Sequence, residues 1–435
     1  MCLNIVIIND TAHVNGGAAK LAITEACGLA DRGHQVFFLA AVLPVAPELE
    51  GRPNVTVVCT NQFDLLADPN RLRAFLQGWW NQKAFRATRD LIAPLDPSNT
   101  VAHLHIWSRA LSPSIGRAVL DAGIPTVCTL HDFVLACPTG TFFLHREKEI
   151  CKLRPMSRAC VCTNCDTRNY QHKLWRLGRH VVQEQFGHLP SHLTDYIVHS
   201  QLALDVMKPY LPDGATIHEL PIYIDGTRAA PANPAENETF AYVGRLVGEK
   251  GVIMLARSAA AEQLPVTFVG SGPLAAEIHE ANPTAVITGW VDREGCVDYL
   301  RKSRALVFPS LWYETLGLVV LEAAAHGIPS IVPDSSAARE FVEDGVTGFH
   351  FQGGNESDLR SKMRQLNDPQ VAAALGRAAY DRFWAGPFSS LNTHIASLQR
   401  IYENVLQRSK FKEQLNRSIS KDEVEDICAT QSMLP

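Results

Sequence analysis

Short apolar runs alternate with longer stretches of helical periodicity along most of this chain, and the pattern occurs twice around an irregular middle. A strand, a helix and a second strand in that order build a parallel sheet, buried on both faces. The first series is expected to place strands at residues 5–8, 36–40, 55–59, 101–105 and 126–130, with 196–199, 206–210 and 217–220 extending the pattern. Its helices are expected at residues 16–32, 71–92 and near 113–122. The second series is expected to place strands at 239–243, 266–269, 285–288, 305–308 and 330–332, with helices at 252–261, 274–281, 293–302 and 316–326. Residues 221–238 hold prolines and small residues without periodicity and read as a linker. At 435 residues the chain has room for two α/β domains, each a Rossmann-like doubly wound sheet. The expected limits are 1–222, a linker at 223–238, 239–390, a long helix at 391–408, and a loosely ordered polar tail at 409–435.

Several function classes are excluded early. A net charge of −5 argues against a nucleic-acid partner. No apolar run approaches the roughly 18 residues needed to cross a bilayer. The first ten residues are apolar too briefly for an export signal and read as a strand. Eleven cysteines, an odd number, indicate a reducing interior, so a cytoplasmic protein is expected.

Chemistry concentrates at the ends of strands. Glu314 precedes a tight glycine turn at Gly317, and Glu322 lies eight positions on, inside an apolar helix. A carboxylate in such a helix is costly without a partner, and a ligand hydroxyl is one. Free amides at the helix start that follows Glu314 favour a phosphate or sugar oxygen. Arg245 and Lys250 flank a glycine-containing turn before a helix, a fork and a point charge able to converge on a diphosphate. Gly270 and Gly272 follow a strand and let a ligand approach the backbone, without forming a dinucleotide fingerprint. Gly16 and Gly17 follow the first strand and open a helix. His131 and Asp132 end another strand.

These elements, in this order, resemble family 4 glycosyltransferases of the GT-B fold and their E-x7-E signature. The resemblance implies two domains facing across a cleft, with the last helix crossing back onto the first. It implies that Arg245 and Lys250 bind the diphosphate of a UDP- or GDP-sugar, that Gly270 and Gly272 line the donor pocket, and that Trp290 and Val291 receive the base. Glu322 would accept from ribose hydroxyls, and Glu314 with the amides of Leu316, Gly317 and Leu318 would hold the transferred sugar. Gly16, Gly17 and His131 would supply the opposite wall. Thr315 and Leu316 stand where such enzymes often carry proline and an aromatic residue, so the sugar pocket is expected to differ in shape. The implied activity is hexosyl transfer with retention to a glycan or lipid-linked acceptor, in surface polysaccharide synthesis and with no cofactor required. A sugar-nucleotide 2-epimerase, a non-catalytic nucleotide-binding scaffold and a metal-dependent regulator are the alternatives.

Two features lie outside the resemblance. Cys151, Cys160, Cys162 and Cys165 cluster in an insertion at about 137–170 and suggest a structural Zn2+ site, with Cys137 able to replace Cys162. Residues 71–89 and 168–179 combine arginines with tryptophan or tyrosine, a composition suited to peripheral contact with the inner face of the cell membrane.

Overall fold

The computed structural model describes residues 2–224 and 226–431, with side chains of the final helix described through residue 412 and at 414. Met1, Asp225 of the expected linker and residues 432–435 of the expected tail lie outside the described residues.

The first domain is a seven-stranded parallel sheet of β1 (Asn4–Ile8), β2 (Gln35–Ala40), β3 (Val55–Cys59), β4 (Thr100–Leu104), β5 (Thr126–Thr129), β8 (Asp195–Val198) and β9 (Thr216–Glu219), in the order β3-β2-β1-β4-β5-β8-β9. Its helices are α1 (Gly17–Asp31), α2 (Arg71–Trp79), α3 (Gln82–Ile92), α4 (Ser114–Asp121), α5 (Arg158–Cys162), α6 (Tyr170–Gln185) and α7 (Gln201–Met207). The insertion after β5 adds a small antiparallel pair, β6 (Phe143–Leu144) and β7 (Glu149–Ile150). The second domain is a six-stranded parallel sheet of β10 (Phe240–Val243), β11 (Val266–Val269), β12 (Val286–Ile287), β13 (Ala305–Val307), β14 (Ser330–Pro333) and β15 (Gly348–Phe351), in the order β12-β11-β10-β13-β14-β15. It carries α8 (Val252–Ala261), α9 (Ala275–Ala281), α10 (Arg293–Arg301), α11 (Leu318–Ala325), α12 (Glu356–Asn367) and α13 (Pro369–Ala385). Strand order reverses between β1 and β4 in one sheet and between β10 and β13 in the other, and ligands of such sheets bind beyond the strand ends at those points.

The last helix, α14 (Leu391–Gln431), crosses back and buries Ile395, Leu398, Tyr402 and Val405 in the core of the first domain. It comes close to α1, where a Cβ on Gly28 would meet Ile395 Cγ1 at 2.7 Å. A buried ion pair anchors the crossing, His394 Nε2 to Glu25 Oε1 at 2.9 Å. Burial alone would lower the imidazole, but the hydrogen bond and charge of Glu25 outweigh it and raise His394 above its ordinary value. A raised folded value means that this stabilisation is fully present below the unfolded value and fades as pH rises through the folded one. His394→Leu should therefore lower the melting temperature more at pH 6 than at pH 9; equal losses at both would show that the helix is anchored by packing alone.

Three expectations are corrected. Residues 206–210 are not a strand: α7 runs into a 3-10 turn there, started by Ser200, whose Oγ accepts from Ala203 N. The helix expected over 71–92 is two, because Asn81 caps α3 through Ala84 N while its Nδ2 holds Ala110 O at 2.7 Å. The final helix does not stop at 408 but is continuous to Gln431.

Candidate active site between the domains

Helix starts define this site. α2, α3, α6, α7, α10, α12 and α13 each open on Asn, Ser or Asp whose side chain accepts an early N–H. α1, α8 and α11 instead open on Gly16, Gly251 and Gly317, with no side-chain cap. Their first amides stay available, and each carries the positive end of a helix dipole. The starts of α1 and α11 meet across the domain boundary, where a Cβ on Gly17 would lie 2.8 Å from Leu318 Cδ1.

The wall from the second domain is built at the ends of β10, β11 and β12. Gly270, at φ +147, lies so close to Gly244 that a Cβ would meet its carbonyl oxygen at 2.0 Å, and Gly270 bridges Gly289. Gly272 is equally tight against Leu246, which holds the turn that carries Arg245. Tyr242 Oη donates to Arg245 O at 2.8 Å, while the Arg245 side chain is exposed and makes no ion pair among the described residues. Lys250 ends a 3-10 turn, Gly248–Lys250, fixed against β13 by Gly251, whose Cβ would collide with Pro309 O at 2.0 Å. The Lys250 ammonium donates to Glu314 Oε1, which also accepts from Ser310 Oγ at 2.9 Å and Trp312 Nε1 at 2.6 Å. Glu314 is thus held by three donors on one oxygen. Glu322 is mostly buried; burial raises its carboxyl, opposed by Arg293 on α10 and Lys20 on α1. Lys20 belongs to the first domain, so Glu322 is addressed from both. Trp290 precedes α10 with its ring 80% exposed, and Val291 is half-buried beside it.

His131 completes the facing wall. Its carbonyl accepts from Thr315 Oγ1 at 2.9 Å, and Ser200 Oγ donates to Thr315 O at 2.7 Å, so the loop of Glu314 is tied to the first domain twice. His131 Nε2 lies 3.0 Å from His105 Nδ1, and His105 Nε2 lies 3.3 Å from Glu25 Oε2. Burial raises the Glu25 carboxyl, but the nearby imidazoles of His105 and His394 outweigh it and hold it well below its ordinary value. His105 Nε2 and Glu25 Oε2 face each other without a completed hydrogen bond; a proton on that nitrogen, turned to the ionised carboxylate, leaves Nδ1 of His105 to accept from His131. This leaves Nδ1 of His131 as an acceptor. Asp10, buried after β1, accepts the amides of Arg109, Ala110 and Leu111 at 2.8 Å each and shapes the loop beside this wall. A cavity of about 220 Å3 lies between, lined by His131, Glu314, Thr315 and Arg179 among others; Glu322, Trp290 and Val291 do not line it.

No sequence motif marks Asp10, Glu25, His105, Ser200 or Lys20. The alternation His103-Leu104-His105 in a strand was the one available signal, since it puts both rings on one face.

The zinc expectation fares differently. The fold brings Cys137, Cys151, Cys160 and Cys165 into one neighbourhood; burial pushes the Cys151 and Cys165 thiols up, with smaller contributions from the other cysteines, while Cys162 is exposed. Lys173, wholly buried, places its Nζ 3.1 Å from Cys165 Sγ and 3.6 Å from Cys160 Sγ. Tetrahedral zinc needs sulfurs about 3.8 Å apart. Among the described residues no three cysteine sulfurs lie within 4.8 Å of one another. As placed, the cysteines do not fit a zinc ion: an ammonium holds the space between two of them.

Residues 224–382 match the family described as glycosyl transferases group 1. The D-rhamnosyltransferase WbpZ of Pseudomonas aeruginosa is 34% identical over 153 residues, 33% of this chain and 40% of its own length. A GDP-mannose-dependent alpha-mannosyltransferase of Corynebacterium glutamicum is 25% identical over 169 residues, 38% of this chain and 41% of its own. The chain therefore spans about two fifths of these curated relatives. Among solved structures, sucrose-phosphate synthase from Thermosynechococcus elongatus superposes with a TM-score of 0.67 at 19% identity, covering 93% of this chain and all of that one. Fold and match agree as far as each reaches: residues 224–382 are similar to the glycosyl transferases of group 1, and the chain as a whole has the GT-B fold of two Rossmann-like domains.

Proposed function

We propose that the protein transfers a hexosyl group from a nucleotide diphosphate sugar to a glycan or lipid-linked acceptor, with retention of anomeric configuration, in surface polysaccharide synthesis. The observation that supports this reading is the meeting of the uncapped starts of α1 and α11 across the domain boundary, with Lys250 paired to Glu314 on the loop before α11 and Glu322 within α11 acted on by Lys20 of the first domain. As the glycosidic bond breaks, negative charge grows on the departing diphosphate. Arg245, Lys250 and the amides at Gly17 and Leu318 oppose that charge more strongly in the transition state than before it. Glu322 takes the ribose hydroxyls, and Trp290 and Val291 border the base. Glu314 and Nδ1 of His131 accept from hydroxyls of the sugar, and the acceptor attacks on the face from which the diphosphate leaves. Fixed cations do the work a divalent ion would do, so no cofactor enters this scheme. The names of the relatives, a rhamnosyl- and a mannosyltransferase, support the reaction class.

Thermal melting with a panel of nucleoside diphosphates and their sugars tests the reading. A bound donor at 100 times its dissociation constant should stabilise the fold by about 2.7 kcal/mol, a shift of several degrees. A panel in which neither uridine nor guanosine diphosphate moves the transition would refute it.

A further inference from the structure

A cavity of about 620 Å3 opens beside the crevice, and six arginines line it: Arg71, Arg109, Arg168, Arg176 and Arg179 from the first domain and Arg245 from the second. Two carboxylates answer them, Asp64 at 2.8 Å from Arg109 and Asp166, behind the lining, at 2.7 Å from Arg176. Arg71 donates to the carbonyls of Leu65 and Asp68, and Arg168 meets the His172 ring at 3.3 Å. Arg179 is 5% exposed, donates to Ser108 O and Pro138 O, and lies over the Trp175 ring at 5.5 Å with no ion pair among the described residues. A buried guanidinium answered only by carbonyls is costly, and an arriving anion relieves that cost. Burial, and then the charge of Arg176, pushes Arg179 down to about 10.

The same cavity has an apolar side. Leu66, Phe75 and Trp175 line it, and beyond them Leu72 and Leu76 on α2 and Leu174 on α6 stand 69%, 56% and 46% exposed. The tryptophans themselves face inward and clamp the two helices. Trp79 Nε1 donates to Trp175 O at 3.0 Å and Trp175 Nε1 to Phe75 O at 3.1 Å, each ring lying over a glycine of the other helix. That clamp leaves the leucines of α2 turned to solvent beside a cluster of six arginines answered by two carboxylates.

We propose that this cavity receives the acceptor as a phosphate- or diphosphate-headed amphiphile, its head among the arginines and its apolar chain along Phe75, Leu66 and Leu72. The proposal rests on the glycosyl-transfer reading and names the chemical class of its acceptor. Ser108, Thr141, Arg176 and Arg179 line both this cavity and the smaller one that holds Glu314 and His131. A sugar carried on the head would reach from one into the other. A neutral glycan has no use for the five guanidinium groups that remain once Arg245 serves the donor, and a bare phosphate has none for an exposed leucine face.

Titrating the full chain with farnesyl diphosphate, inorganic pyrophosphate and farnesol, read by tryptophan fluorescence, tests this. Farnesyl diphosphate should bind at least about tenfold more tightly than either half-molecule. Arg109→Ala with Arg168→Ala, both exposed positions, should weaken it about tenfold while nucleoside diphosphate binding stays unchanged. Leu72→Ser with Leu76→Ser should weaken farnesyl diphosphate but not pyrophosphate. Pyrophosphate binding as tightly as farnesyl diphosphate would overturn the proposal in favour of a free-phosphate site. Binding to vesicles of acidic phospholipid without affinity for farnesyl diphosphate would overturn it in favour of a membrane-surface patch. Loss of the transfer reading is visible separately, as failure of the wild-type chain to bind any nucleoside diphosphate.

Discussion

Arg245→Ala should lower kcat with the matching donor by about 10^2–10^3-fold and leave the fold intact. The side chain is exposed and pairs with no carboxylate among the described residues, so the native state loses little when it is removed. What is lost is a forked cation on a turn held rigid by Gly270, Gly272 and Tyr242. A preorganised donor aimed at developing charge is worth about 3–4 kcal/mol in the transition state, because its orientation costs nothing at the moment of reaction. The loss should therefore fall on kcat more than on KM, since charge on the diphosphate grows as the bond breaks. Arg245→Lys should recover part of the rate, keeping the charge but not the two-pronged geometry. Near-normal transfer by the alanine variant would remove the diphosphate from this turn and with it the mechanism.

How far the sequence could carry such an expectation depends on the range of each interaction. The alternation of strands and helices, the glycine turns and the order of Arg245, Lys250, Glu314 and Glu322 are local patterns, and the fold follows them. Residues 206–210 look like a strand because apolar content is all that a short window offers; Ser200, six positions upstream, starts a helix that runs through part of them. The break between α2 and α3 is decided by Asn81 reaching Ala110, 29 positions away. The support behind His131 is less legible still. His105 lies 26 positions from it, and the His394 that fixes the far side of Glu25 is 369 positions from that carboxylate. No spacing rule reports a contact of that range. The cysteines show a related limit: their density suggests a metal, and the spacing gives no sign that a lysine eight residues after Cys165, on the next helix, places its ammonium beside two of them.

Lys250 and Glu314 allow a sharper test, because their roles in stability and in turnover should separate. Their side chains are 18% and 15% exposed and share one hydrogen bond, with Ser310 and Trp312 completing the shell of the carboxylate. Lys250→Met leaves the carboxylate with two neutral donors; Glu314→Gln leaves an ammonium facing Trp312 and Phe308 without its anion. Each single change should destabilise by about 2 kcal/mol, since a partly buried charge loses its partner. The double variant should cost less than the two together, by about 1–2 kcal/mol of coupling, because neither charge is then stranded. Activity should not follow. A donor diphosphate competes with Glu314 for Lys250, and the freed carboxylate oxygen can then accept a sugar hydroxyl, so binding exchanges one partner for another on both groups. Both singles and the double variant should lose about 10^2-fold in kcat/KM, the double regaining stability but not rate. If rate returns together with stability, the pair is a structural brace, and the sugar and the diphosphate are held by other groups.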